Sequence, residues 1–101
     1  MKIYIAGKIS GLDYLQARRT FEVAEASLKA RGYEVINPIK LCGEAWPWRL
    51  CMAVCLLALM RCRCVCMLPN WRDSRGAKIE RRFALALGKK VYEHERGELR
   101  L

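Results

Sequence analysis

Chemistry in this sequence concentrates where the loop Asn70-Trp71-Arg72-Asp73-Ser74 runs into the segment Arg75-Gly76-Ala77-Lys78-Ile79-Glu80. That segment reads as the start of a helix from Arg75 to Leu87, with Ser74 or Asp73 placed to cap its free amides. The helix carries an apolar stripe of Phe83, Ala84 and Leu87. Counting back three, four and seven residues from these positions arrives at Glu80, so a carboxylate is expected on the inward face. An inward charge is costly unless it is hydrogen-bonded or borders a wet cleft. Near a helix start, free amides and the positive dipole end favour an anion, and Gly76 one turn earlier lets a ligand approach the backbone. Two readings follow: a functional carboxylate, or a glutamate whose stem packs while its head pairs with a nearby arginine.

Six cysteines, at positions 42, 51, 55, 62, 64 and 66, form the other reactive set. Cys62, Cys64 and Cys66 alternate along one expected strand and so share a face, but the paired two-residue knuckles of structural zinc are absent. No metal and no cofactor are therefore expected, and the cysteines read as buried thiols in a reducing cytoplasm. The single histidine, His94, offers no base for a Cys-His pair. Trp46, Trp48 and Trp71 fall in loops or at helix starts, where a tryptophan either covers the core or stacks on a base. Trp71, three residues before Ser74, is the stacking candidate.

The elements that must position these groups are legible from patterning. Lys2 to Ala6 reads as a strand entering a turn at Gly7, Lys8, Ile9, Ser10 and Gly11. Tyr14 to Arg31 reads as a helix burying Ala17, Phe21, Ala24 and Leu28, with Arg18, Arg19, Glu22, Glu25 and Lys29 turned outward and Gly32 as its stop. Tyr33 to Ile36 is a second strand broken by Asn37-Pro38 into a loop reaching Pro47. Trp48 to Met60 is an almost wholly apolar helix expected to pack on both sides. Cys62 to Leu68 is a third strand and Lys90 to Tyr92 a fourth. The remainder, residues 92–101, forms a peripheral tail that could add a short edge strand. Alternating strands and helices predict an α/β fold, a flavodoxin- or Rossmann-like three-layer sandwich around a mainly parallel sheet of four or five strands. Right-handed crossovers bring Gly7–Gly11, Asn37-Pro38 and Pro69–Gly76 to one edge, where such sheets hold ligands.

The 101 residues suit one compact domain. Nineteen basic against ten acidic residues give a formal charge of +9, which favours anionic ligands. The basic residues are scattered rather than gathered, so a nucleic-acid surface is the less favoured reading. The longest apolar run, Leu50 to Met60, is too short to span a membrane and no cleavable leader is visible, which together imply a cytoplasmic protein.

The opening MKIYIAGKISG, the Val-Ile-Asn-Pro turn and LPNWRDSRGAKIE before an apolar helix resemble small bacterial and phage members of the nucleoside 2-deoxyribosyltransferase-like superfamily. The chain is also similar to 2′-deoxynucleoside 5′-monophosphate N-hydrolases at Tyr4, Gly7, Ile9, Ser74, Gly76 and Glu80. The resemblance implies an enzyme in which Glu80 attacks the anomeric carbon of deoxyribose and Tyr4 orients the carboxylate or the sugar. Gly7, Lys8, Ser10 and Ser74 would line the sugar and phosphate end. Ile9, Asn37, Trp71 and Gly76 complete the candidate substrate contacts at that edge. It further implies a deoxynucleoside or deoxynucleotide ligand and a homodimer or higher oligomer. Two aspartates usual in the family fall at Cys55 and Arg63 here, and neither side chain supplies an acidic proton at neutral pH. Asp73 is the one nearby acid that could compensate. Besides an N-glycosidase or deoxyribosyltransferase, the readings are therefore a nucleotide-binding or sensing module without turnover, or a basic assembly or nucleic-acid-associated protein in which Glu80 is structural.

Overall fold

The computed structural model describes residues 2–9, 13–43, 45–95 and 98–100, with side chains described as far as residue 93. Its elements are β1 (Lys2–Ala6), α1 (Tyr14–Ala30), β2 (Glu34–Ile36), α2 (Pro38–Leu41), α3 (Trp48–Met60), β3 (Cys64–Met67), a 3-10 turn (Trp71–Asp73), α4 (Arg75–Ala86), β4 (Lys90–Glu95) and β5 (Glu98–Arg100). They form an α/β sandwich around a five-stranded sheet of order β2-β1-β3-β4-β5. The first four strands are parallel, with Tyr4 opposite Ile36 on one side and Val65 on the other, and β5 closes the edge antiparallel to β4.

The two central strands are buried on both faces, which explains their continuous apolar runs. Alternation then divides the core. Ile3, Ile5, Cys64 and Cys66 pack on Ala17, Phe21, Ala24 and Leu28 of α1. Tyr4, Ala6, Val65 and Met67 pack on Cys55 and Leu59 of α3 and on Ala77 and Ala84 of α4. Both long amphipathic helices end in a left-handed glycine, Gly32 at φ 90° and Gly88 at φ 74°. Around each, paired bonds satisfy the last carbonyls: Gly32 and Tyr33 donate to Lys29 and Leu28, and Gly88 and Lys89 donate to Leu85 and Ala84.

Four expectations need correction. Asn37-Pro38 does not open a loop: Asn37 caps α2, its Oδ1 accepting from the Ile39 amide at 3.0 Å, and Pro38 fills the first helical position where no amide is needed. Cys62 lies outside β3, in the turn after α3 where its amide donates to Leu59, so it packs on the face opposite Cys64 and Cys66. Helix α3 buries only Cys55 and Leu59, and leaves Leu50, Leu57 and Met60 exposed on its outer side. Glu25 points inward and is only 6% exposed. Its carboxylate accepts from Asn37 Nδ2 at 3.1 Å and pairs with Lys29 and Lys40 at 2.8 and 2.9 Å. Burial alone would raise its pKa, but these three partners prevail and hold it down at about 2. The cluster ties α1 to the segment that follows β2.

Candidate active site

Strand order reverses direction between β1 and β3, and the segments leaving their carboxyl ends diverge there to open a crevice. Across it the Lys8 amide donates to Asn70 Oδ1 at 3.1 Å, and the Leu68 amide donates to the Ala6 carbonyl at 2.8 Å. Gly7 sits at the tightest point: a Cβ there would meet Leu68 Cδ1 at 2.7 Å and Leu68 Cβ at 2.9 Å. Only a residue without a side chain lets the two loops close this far.

The crevice deepens into a cavity of about 170 Å3. Its floor is Tyr4, Gly7 and Ile9, one wall is Ser74, Gly76, Ala77 and Glu80 at the start of α4, and the other is Trp46, Trp48, Cys51, Met52 and Cys55. Tyr14, Pro38, Ile39, Cys42 and Gly43 complete the lining. Ser74, rather than Asp73, caps α4, its Oγ accepting from the Ala77 amide at 3.2 Å.

Glu80 is 5% exposed, faces this cavity, and accepts a hydrogen bond from the Tyr4 hydroxyl. Among the described residues no cation pairs with it, so the arginine partner of the structural reading is not found. Burial lifts its carboxyl from 4.5 to about 7, and the Tyr4 bond pulls the other way. The Tyr4 phenol is raised well above 10, first by burial and then by the negative charge of Glu80. Cys55 completes the group. Burial pushes its thiol to about 11, against the pull of a Tyr4 hydrogen bond. Half ionised near neutrality, Glu80 is suited to attack an electrophilic carbon or to pass a proton. It is the one acid among the described lining residues.

The structure thus brings Tyr4, Gly7, Ile9, Cys55, Ser74, Gly76 and Glu80 together. It sets Lys8, Asn37, Trp71, Asp73 and Arg63 apart. Ser10 lies outside the described residues. Lys8 is half-buried beside the crevice without lining it, and Asn37 is buried between Glu25 and α2. Trp71 lies outside the lining because its ring packs on the α3–α4 core, with the guanidinium groups of Arg72 and Arg81 over it at 5.0 and 4.9 Å. Asp73 and Arg63 are exposed. The aromatic wall is instead Trp46 and Trp48, the latter under Arg75 at 5.0 Å. Their position around Pro47, at the entry to α3, was the signal available for them. The reading of all six cysteines as free thiols is also corrected: Cys42 and Cys51 form a disulfide, because α2 ends against the first turn of α3.

No curated protein matches this chain in sequence. The Clostridium botulinum CMP N-glycosidase BcmB is similar in structure, with a TM-score of 0.64 and 22% identity over 92% of this chain and 67% of BcmB. The likeness shows that the two chains share an α/β fold, as the alternation of strands and helices implied. No helix among the described residues is long and apolar enough to cross a membrane. Residues 1–93 match the family described as "Domain of unknown function (DUF4406)", and the chain belongs to that family.

Proposed function

We propose that this protein is an N-glycosidase or deoxyribosyltransferase for deoxynucleosides or their 5′-monophosphates, with Glu80 as nucleophile. The observation that carries the reading is a buried carboxylate with no cationic partner among the described residues, held by Tyr4 against an open cavity at the strands' carboxyl edge. In the first step a Glu80 oxygen bonds to the anomeric carbon, the C–N bond breaks, and its electron pair leaves with the base. Water or a second base then displaces Glu80 and frees the sugar. Tyr4 holds the attacking carboxylate in one rotamer, and Trp46 or Trp48 offers a face for the base. The +9 charge and the amides at the start of α4 favour a phosphate at the mouth. The structural neighbour, a CMP N-glycosidase by its name, supports cleavage of an N-glycosidic bond in a nucleoside monophosphate, and CMP carries ribose rather than deoxyribose.

The departing base takes its proton from water in this scheme, since a Cys55 thiol near 11 is a poor acid. Turnover is accordingly expected to be slow and fastest with bases that leave readily. The same observation favours a second reading, a nucleotide-binding module that has lost turnover. Chromatography of protein incubated with each deoxynucleoside monophosphate, and with CMP, separates the two. Free base from wild type and none from Glu80→Gln supports the enzyme. Thermal stabilisation by a nucleotide without base release supports the module. Base release that survives Glu80→Gln removes the nucleophile.

A homodimer formed through α3 accompanies this proposal, supported by Leu50, Leu57 and Met60, which stay 49%, 63% and 51% exposed at seven- and three-residue spacing on one helix side. Light scattering is expected to give twice the chain mass and Leu57→Asp a monomer. A wild-type monomer would refute it.

A further inference from the structure

Three sulfurs converge on one side of the cavity. Cys42 comes from the end of α2, while Cys51 and Cys55 stand one turn apart on the same side of α3. The Cys55 sulfur lies 3.8 Å from that of Cys42 and 3.9 Å from that of Cys51. All three line the cavity, and all their sulfurs fall within 4.8 Å of one another.

A zinc ion bonded to thiolates at about 2.3 Å in a tetrahedron sets its sulfurs about 3.8 Å apart, which is also ordinary contact between two thiols. Separation of the Cys42 and Cys51 sulfurs to that contact on reduction would complete a near-regular triangle with the two distances that Cys55 already keeps. We propose that the reduced protein holds a thiophilic divalent metal, zinc(II), on Cys42, Cys51 and Cys55, and that the Cys42–Cys51 disulfide is the oxidised, metal-free form of the same site. Two molecules of a low-molecular-weight thiol together supply two electrons and two protons to the disulfide and are themselves joined as a disulfide. Zinc then displaces one proton from each of the three thiols as three Zn–S bonds form. Three protein ligands leave a fourth place, which water or a donor group of a ligand in the cavity can take. The site does not depend on the glycosidase reading, since none of its ligands is a proposed nucleophile.

Metal titration of the full chain tests it. Protein reduced with a phosphine under anaerobic conditions is titrated with zinc against a chromophoric chelator, and with cobalt(II) as a spectroscopic probe. The expected result is one metal per chain, a sulfur-to-cobalt charge-transfer band in the near ultraviolet, and visible bands of tetrahedral intensity. Cys42→Ser, Cys51→Ser and Cys55→Ser should each weaken binding beyond the roughly 10–100-fold that follows loss of an outer-shell partner. Cys64→Ser, on the opposite face of the sheet, should not. Oxidised wild type should bind no metal and regain it on reduction, a comparison that needs no variant and cannot be explained by misfolding. Reduced wild type that binds no stoichiometric zinc overturns the proposal. So does binding that survives all three substitutions, or that is equal in the oxidised protein.

Discussion

Replacing Glu80 by glutamine should leave stability nearly unchanged at acid pH and make the protein more stable than wild type above pH 7. The Glu80 carboxyl is raised from 4.5 to about 7 because it is buried, with Tyr4 as its hydrogen-bond donor and no cation beside it among the described residues. The folded state therefore binds the proton more tightly than the unfolded chain. The stabilisation it contributes is complete below about pH 4.5 and is lost as pH rises through 7. The interval from 4.5 to about 7 corresponds to about 3 kcal/mol. That is a large share of the roughly 5–15 kcal/mol that holds a domain of this size folded. The substituted glutamine keeps the volume and an acceptor for the Tyr4 hydroxyl but has no proton to lose. Urea unfolding of both proteins at intervals from pH 5 to pH 9, at constant salt, gives the difference curve. Wild type should lose about 3 kcal/mol relative to Glu80→Gln across this range, and carbon-13 NMR of the Glu80 carboxyl should titrate near neutrality. Parallel curves for the two proteins, or a Glu80 carboxyl titrating near 4.5, would refute the claim that this group lies buried and uncompensated.

Tyr4→Phe removes the one bond that lowers the Glu80 pKa, so the same NMR titration should move upward by about one to two pH units; no movement would mean that Tyr4 does not hold the carboxylate. Gly7→Ala should cost about 1–3 kcal/mol in urea unfolding, since its new methyl meets Leu68 below contact distance. Glu25 has the opposite sign from Glu80: its pKa is depressed to about 2, so its contribution is present above pH 4.5 and fades as pH falls through 2. Glu25→Gln should therefore flatten the acid side of the wild-type stability curve, as followed by circular dichroism.

Residues with a single structural job were readable from the sequence. The bounds of β1 and α3 follow from patterning alone, and the inward aim of Glu80 follows from the stripe of Phe83, Ala84 and Leu87. What escaped depended on contacts between elements distant in sequence. Glu25 looks like one more charge on an outer helical face until Asn37 and Lys40 arrive from beyond β2 to meet it. Asn37-Pro38 has two local meanings, a strand break or a helix cap with proline behind it, and packing of Ile39 into the core selects the second. The cysteine alternation at 62, 64 and 66 drew attention to a strand whose thiols are merely packed, whereas Cys42, Cys51 and Cys55 meet only after two helices have docked. Tryptophan placement failed for the same reason: Trp71 is close in sequence to Ser74 yet turned into a different layer.

The bare backbone at Gly7, pinched against Leu68, leaves the cleft without a side chain at this one point of its floor. Under the proposed function, discrimination between occupants would fall instead to the facing side chains Trp46, Trp48 and Met52.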